Sequence, residues 1–330
     1  MWALFAVRWP PVRTLSEDEV RQHLDPACLV RELETAFRDR FTQVTIPARM
    51  HIPLDTGIFL IMPCHDLAGH ALGMKLVTVQ SQPAHSEDRI QATVMLFDLE
   101  TGKPHLVMAA KYLTELRTAA ASAVATKFLA RKDARTLGIF GTGRQARAHL
   151  KVLPLIRNFD RVLVCGKDHS SSKEFCEQVA GEITLPVEPA GPDRCAAESD
   201  VLCTCTTSPS PLFDGKLLRP GTHLNLVGSF QPQAREVDSF TIERALLVVD
   251  TYDAALIEAG DLLIPIGEGV IKRDHVQADL HELVSGSVAG RPADITVFKS
   301  VGCAFEDLIA AELVAENVTT REGALFRVTT

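Results

Sequence analysis

The sequence lacks an excess of positive charge, because 34 lysine and arginine residues face 42 aspartate and glutamate residues, for a formal net charge of −8. This balance argues against nucleic acid or an anionic membrane as the main partner. No stretch approaches the ~18 apolar residues of a membrane-spanning helix, and prolines and glycines are dispersed rather than gathered in a low-complexity tract. What remains is an ordinary globular protein, in which a local basic pocket for a small carboxylate-bearing molecule is still allowed.

The cysteines point to a reducing compartment. None of the eight forms a Cys-x-x-Cys pair, and several, such as Cys165, lie in apolar runs, so we predict reduced thiols in a cytoplasmic protein. Cys203 and Cys205 would share one face of a strand, but no further ligand follows at metal-site spacing, and we predict no bound metal. The apolar residues 1–7 lack a basic flank and are too few for a signal peptide, so we interpret them as a loose N-terminal extension.

The first third of the chain has the pattern of an α+β block. A Ser-x-x-Glu capping box predicts a helix after Ser16, and Asp25-Pro26 predicts the start of a second one. From 44 to 110 the sequence turns to short β-type runs separated by turns, including a hairpin turn at 98–102.

The rest of the chain alternates strands and helices after a predicted helix at 113–129. Such alternation predicts a parallel sheet covered by helices, and 330 residues normally form two domains. We therefore predict an α/β protein with a parallel-sheet domain at 126–304 and an α+β domain formed by 1–125 with 305–330. The predicted strands are 136–140, 161–165, 201–204, 223–227, 245–249 and 295–298, and a last helix is predicted at 303–316.

The string GTGRQA at 141–146 is a dinucleotide fingerprint in the required context, because it follows an apolar strand and opens a helix. Gly141 permits a tight turn, Gly143 lets the backbone approach a pyrophosphate, and Ala146 allows close packing of helix on strand. The helix N-terminus then offers free N–H groups to the phosphates, which predicts a Rossmann-type domain. The predicted contacts in this turn are Gly141, Thr142, Gly143, Arg144, Gln145 and Ala146.

The end of the next strand selects the cofactor, because an acidic residue there binds a ribose hydroxyl and a basic one suits a 2′-phosphate. Lys167 comes first and Ser170 lies nearby, which favours NADPH. Asp168 keeps NADH as the alternative, and Lys167 as a merely solvated loop charge is the other interpretation.

Three basic residues stand among apolar neighbours: Lys75, Arg49 and Arg117. An arginine suits two-pronged carboxylate binding, and a desolvated lysine facing a cleft can donate a proton. The pattern alone favours ordinary surface charges for all three.

Five strings change the interpretation of these basic residues: MKLV at 74–77, LRTAAAS at 116–122, GTGRQA at 141–146, GDLL at 260–263 and FKSVGCAFED at 298–307. With these strings, the chain resembles the ornithine cyclodeaminase/mu-crystallin family over nearly everything after Thr14. The resemblance implies NAD(P)-dependent chemistry at a carbon that bears an amino or imino group, and a homodimer built through the first domain.

The resemblance also implies roles for particular residues. Arg49 and Arg117 match the arginines that hold the substrate carboxylate, and Lys75 matches the active-site lysine. Further cofactor contacts are implied at Thr118, Thr206, Val227, Ser300 and Gly302.

Two positions depart from the pattern of true ornithine cyclodeaminases. Phe230 stands where their Gly-x-Asp-x-Pro string has its acid, and Leu60 stands where their Glu-Leu-Met-Pro string has its glutamate. Burying a second substrate ammonium against these side chains would cost several kcal/mol. We therefore predict an NAD(P)H-dependent reductase of imines or ketimines of 2-oxo acids, or an L-amino acid dehydrogenase. Ornithine cyclodeaminase and a mu-crystallin-like binding protein remain as alternatives.

Overall fold

The computed structural model describes residues 12–81, 89–291 and 293–328, so the predicted N-terminal extension at 1–7 lies outside the described residues. Within them, one unit takes in 12–25, 43–81, 89–114 and 307–328, and a second takes in 26–42, 115–291 and 293–306. The roles predicted for the two domains stay predictions.

The elements follow in chain order. The strands are β1 Arg13–Leu15, β2 Val44–Thr45, β3 Met50–Leu54, β4 Gly57–Asp66, β5 Ala71–Gln80, β6 Ile90–Phe97, β7 Pro104–Ala109, β8 Thr136–Phe140, β9 Arg161–Cys165, β10 Val187–Pro189, β11 Val201–Thr204, β12 His223–Leu226, β13 Ala245–Val249, β14 Val276–Asp279 and β15 Ile295–Lys299. The helices are α1 Glu17–His23, α2 Pro26–Asp39, α3 Lys111–Leu129, α4 Arg144–Val152, α5 His169–Val179, α6 Pro192–Glu198, α7 Ser239–Glu243, α8 Tyr252–Glu258, α9 Gly260–Gly267, α10 Leu280–Val284 and α11 Ala304–Val328.

The first unit is built on a sheet ordered β1-β7-β6-β5-β4-β2, with β3 also paired to β4. Its long strands are antiparallel, and residues alternate along β5 between a buried and a half-buried face. The predicted capping box is confirmed, because Ser16 Oγ accepts from the Glu19 N–H and the Glu19 carboxylate accepts from the Ser16 N–H.

The second unit is built on a parallel sheet ordered β10-β9-β8-β11-β12-β15-β13-β14. The strand order reverses next to β8, since β9 lies on one side of it and β11 on the other. Ligands of open parallel sheets bind at such a reversal, beyond the carboxyl ends of the strands. The predicted Rossmann-type arrangement is therefore present, with the dinucleotide fingerprint at the end of β8.

The predicted strands agree with the structure to within one residue at their ends. The edge strands β10 and β14 are not predicted, because they are short and lack a continuous apolar run. The last helix was predicted to end at 316 and instead continues to Val328. No proline interrupts the sequence there, and an isolated glycine such as Gly323 is tolerated within a helix.

Three further properties concern the described residues as a whole. No helix among them is long and apolar enough to cross a membrane. All eight cysteines are described and are free thiols, six of them buried. Within the same residues, no group of three or more histidine, cysteine, aspartate or glutamate side chains is placed to hold a metal ion.

Candidate active site

The turn after β8 contains two glycines that differ in what requires them. Gly141 has a φ of +111°, and a Cβ there would lie 2.5 Å from the carbonyl oxygen of Cys205, so the protein itself requires glycine at this position. Gly143 has an ordinary negative φ, and a Cβ there would meet nothing within 4 Å. Nothing in the described protein therefore demands glycine at 143, whereas a pyrophosphate at the start of α4 would.

Five of the other predicted cofactor residues of this unit lie at the same edge of the sheet. Lys167 and Ser170 follow β9, Thr206 follows β11, Val227 follows β12 and Ser300 follows β15. Because the strands are parallel, their carboxyl ends meet along one edge, and the structure brings these residues to the edge that also carries the glycine turn.

The loop after β9 uses its acidic residue as a helix cap. The Asp168 carboxylate accepts a hydrogen bond from the Ser171 N–H at 2.7 Å, and this bond lowers the pKa of Asp168 below its usual range. The Ser171 hydroxyl in turn accepts a hydrogen bond from the Asp168 N–H, which completes the cap of α5. One carboxylate oxygen of Asp168 is thus committed to α5, while Lys167 makes no comparable capping contact.

The buried carboxylate of Glu236 connects the loops after β11 and β12 through hydrogen bonds. Glu236 accepts hydrogen bonds from the hydroxyls of Thr204 and Thr206 and from the backbone N–H groups of Thr206, Gly228 and Ser229. Burial raises the pKa of Glu236, as does the nearby Asp261, whereas the Lys299 ammonium lowers it.

Asp261 and Lys299 form an ion pair of 2.9 Å in which both side chains are fully buried. Lys299 also donates to the carbonyl oxygen of Ser229. The segment that carries Phe230 is therefore held by charged groups on β15 and α9, none of which the sequence reasoning assigned.

A second buried carboxylate builds the turn at Ser300–Gly302. Asp250 accepts hydrogen bonds from the Ser300 hydroxyl at 3.1 Å and from the N–H groups of Val301 and Gly302. Gly302 has a φ of +78°, and a Cβ there would lie 2.4 Å from Nη1 of Arg117. The turn thus packs against the guanidinium, and glycine is required for both reasons.

Arg117 is buried in α3 rather than exposed as its pattern alone favoured. Its Nη1 donates to Oε2 of Glu306 at 2.6 Å, and the two side chains are 6% and 0% exposed. Thr118, the next residue, is also buried. The guanidinium is therefore fixed by a carboxylate on one side and by the Gly302 turn on another.

Lys75 is buried in the first unit, on the face of β5 that also carries Gly73 and Val77. Its Nζ lies 2.7 Å from both carboxylate oxygens of Asp307, and the two side chains are only 2% and 3% exposed. A Cβ on Gly73 would lie 2.8 Å from Leu308, so the missing side chain allows α11 to approach the strand here.

Arg49 lies in the same unit, between β2 and β3, and is half-buried. The structure thus places Lys75 and Arg49 in the first unit and Arg117 in the second, each within its own unit. Their assembly into one site stays a prediction.

Glu306 and Asp307 were quoted in the family string, but the sequence reasoning gave them no role. The available signal was two consecutive carboxylates after the apolar stretch Cys303-Ala304-Phe305, since buried acids need cationic or hydrogen-bonding partners. In the structure each acid has a cationic partner, because Glu306 pairs with Arg117 and Asp307 pairs with Lys75.

The two departures from the cyclodeaminase pattern are buried or half-buried apolar side chains. Leu60 of β4 pairs with Val77 in the sheet and lies on the buried face that carries Lys75. Phe230 packs against the apolar core of the second unit.

Comparison with known proteins places the chain in a family. The model of the ornithine cyclodeaminase/mu-crystallin family matches residues 12–322, and the chain belongs to that family. The resemblance inferred from the sequence strings is therefore confirmed.

Three relatives narrow the class. Delta(1)-pyrroline-2-carboxylate reductase of Bacillus cereus is 35% identical over 311 residues, which cover 92% of this chain and 95% of that protein. The ketimine reductase mu-crystallin of Rattus norvegicus is 34% identical over 314 residues, covering 92% and 96%. The structure of Thermococcus litoralis Delta(1)-pyrroline-2-carboxylate reductase in complex with NADH and L-proline has a TM-score of 0.90 at 34% identity, and covers 94% of this chain and 98% of that one. The predicted α/β fold, oxidoreductase class and nicotinamide cofactor are confirmed at this level.

Proposed function

We propose that this protein reduces cyclic ketimine carboxylates, of the Δ1-pyrroline-2-carboxylate type, to cyclic amino acids with a nicotinamide cofactor. The observation that carries the proposal is the ion-paired Lys75, buried on a sheet face whose neighbouring position 60 is apolar. Such a face suits a hydrocarbon ring with one nitrogen to protonate. The names of the relatives support the same reaction.

The chemistry divides between the cofactor and the chain. A nicotinamide cofactor, when bound at the glycine turn, supplies the hydride that forms the new C–H bond. Lys75 donates a proton to the ring nitrogen as that bond forms. Arg117 and Arg49 hold the substrate carboxylate. The substrate is thereby fixed next to the cofactor, so that hydride transfer becomes an effectively unimolecular step.

Arg117, which we propose binds the substrate carboxylate, also pairs with Glu306. The Glu306 contact uses Nη1 of a guanidinium that has five N–H donors. Because Lys75 and Arg117 each carry a carboxylate partner, we do not expect a pocket with three uncompensated positive charges.

The substrate class follows from the missing acids. An α,ω-diamino acid brings a second ammonium, which needs a carboxylate when it is buried. Leu60 and Phe230 supply none at the two positions where the cyclodeaminase pattern has acids. A ring that has already lost its second amine avoids this cost.

Ornithine is therefore expected not to be converted to proline at a useful rate. The purified protein, supplied with ornithine and catalytic NAD⁺, is assayed for proline by chromatography. Proline formation at a rate comparable to ketimine reduction would contradict the assigned role of Leu60 and Phe230.

We propose NADPH as the preferred cofactor, on the strength of Lys167 at the selecting position and the use of Asp168 as a helix cap. Lys167→Ala is expected to weaken NADPH binding more than NADH binding, because only NADPH offers a 2′-phosphate to the ammonium. Dissociation constants of both cofactors, measured by fluorescence for wild type and variant, test this.

The matched control for that measurement is Lys173→Ala, because Lys173 is an exposed lysine of α5 that lies beyond the selecting loop. A wild-type preference for NADH would assign the selection to Asp168 instead.

We also propose a homodimer formed through the first unit, in a reducing cytoplasm. The strand β3 exposes Met50, Ile52 and Leu54 on one face, each more than 40% exposed. On the same face of the sheet, their partners in β4 include Ile61 and Phe59. An apolar sheet face of this kind is typical of a subunit interface, and eight free thiols fit a reducing compartment.

The reaction itself is tested by following NADPH and NADH oxidation with a panel of substrates. The panel contains Δ1-pyrroline-2-carboxylate, Δ1-piperideine-2-carboxylate, and pyruvate with ammonia or methylamine. The proposal expects the cyclic ketimines to be reduced with the highest kcat/KM. Turnover of the open-chain mixtures alone would contradict it.

A further inference from the structure

We propose that Asp307 is a positioning residue for this reduction, which keeps Lys75 in its charged form and holds its Nζ in place. The inference rests on the proposed role of Lys75 as proton donor. A lysine on a buried sheet face can give a proton only if it remains charged.

The contact is built into the fold of the first unit. Both oxygens of the Asp307 carboxylate lie 2.7 Å from Lys75 Nζ, although the residues are 232 positions apart in the chain. A desolvated lysine tends to lose its proton, whereas an adjacent carboxylate favours the charged form. Asp307 therefore offsets the burial that would otherwise leave Lys75 as a neutral amine, which has no proton to spare.

The sheet neighbours of Lys75 are apolar. In the sheet, Lys75 pairs with Met62 of β4 and Val94 of β6, both apolar and buried. Among the described residues on the same face of β4, the titratable side chains are Cys64 and Asp66. Asp66 lies at the far end of β4 and accepts a hydrogen bond from the Gly69 N–H.

Folding stability alone does not explain the buried ion pair of Lys75 and Asp307. A buried ion pair is weak evidence for stability, because two apolar side chains of similar volume often serve as well or better. Because Gly73 has no side chain, α11 can approach β5 closely enough for Asp307 to reach Lys75. A role in proton donation by Lys75 would explain this pair.

As hydride from the reduced nicotinamide reaches the ring carbon, the electron pair of the C=N bond moves to nitrogen, and nitrogen takes a proton from the Lys75 ammonium. Lys75 is left as a neutral amine and regains a proton from water. Asp307 exchanges no atom with the substrate.

The test compares Asp307→Asn, Asp307→Glu and the control Asp66→Asn, which removes another buried carboxylate of the same sheet face. For Asp307→Asn, kcat with Δ1-pyrroline-2-carboxylate is expected to fall about 10–100-fold, part of the full general-acid contribution. The KM for the ketimine and the dissociation constant of NADPH are expected to stay within about threefold, since neither depends on the proton. Asp307→Glu keeps the charge and is expected to recover part of kcat, and Asp66→Asn to keep it all.

A purely structural pair would lower the melting temperature of Asp307→Asn while leaving kcat per folded molecule unchanged, and that result would overturn the proposal. If Asp307→Asn does not fold, Asp307→Glu decides: a lowered kcat with unchanged NADPH binding supports the proposal, and a wild-type kcat overturns it. Failure of the proposed function is a different result, because the wild type itself would then leave every cyclic ketimine unreduced.

Discussion

The Lys75→Met enzyme is expected to lose about 10²–10⁴-fold in kcat, the usual contribution of a positioned general acid. Methionine has a similar length and no proton to give. Cofactor binding is expected to be unchanged, because the glycine turn belongs to the other unit. Steady-state kcat and KM with a cyclic ketimine, together with NADPH binding by fluorescence, measure the effect.

Removing Lys75 alone also leaves the Asp307 carboxylate buried without its cation, which costs about 3–5 kcal/mol in comparable cases. The double variant Lys75→Met/Asp307→Leu removes both charges and is expected to recover stability without recovering kcat. Lys103→Met, which replaces an exposed lysine at the turn between β6 and β7, is the neutral control. Full kcat in Lys75→Met would remove the lysine from the chemistry.

Gly143→Val is expected to bind neither NADPH nor NADH measurably, while its melting temperature stays close to that of the wild type. A Cβ at this position meets nothing within 4 Å of described protein, and its φ of −94° is open to any residue. The added side chain would instead occupy the space that a pyrophosphate needs at the start of α4. Fluorescence titration with each cofactor and a thermal melt separate the two effects.

The matched control is Gly191→Val. Gly191 is also a helix N-cap with a negative φ and open space around its Cα, but it precedes α6 after the edge strand β10. We expect it to leave cofactor binding intact. Unchanged nicotinamide affinity in a folded Gly143→Val protein would show that the turn does not hold the dinucleotide.

Much of the second unit could be predicted because its signals are local. A continuous apolar run bounded by turns defines a buried parallel strand, and the glycines of 141–146 act within a few residues of one another. The strands that escaped prediction, β10 and β14, lie at the two edges of the sheet. Their sequences are short, and pairing with a neighbour rather than an intrinsic pattern makes them strands.

The basic residues show the opposite case. A lysine in an alternating strand faces one side or the other, and the sequence of β5 does not say which side is buried. The structure decides this, because Lys75 alternates in phase with Gly73 and Val77 on the covered face. A surface charge and a desolvated proton donor therefore have the same local sequence.

The sequence by itself determined the family, the parallel-sheet domain and the glycine turn after β8, since each depends on residues close together in the chain. Only the tertiary structure decided the partners of the charged groups. Arg117 meets Glu306 across 189 residues and Lys75 meets Asp307 across 232. The physical reason is that burial makes an unpaired charge costly, so these groups must be paired, but any of 42 acidic residues satisfies that demand until the fold brings one within 3 Å.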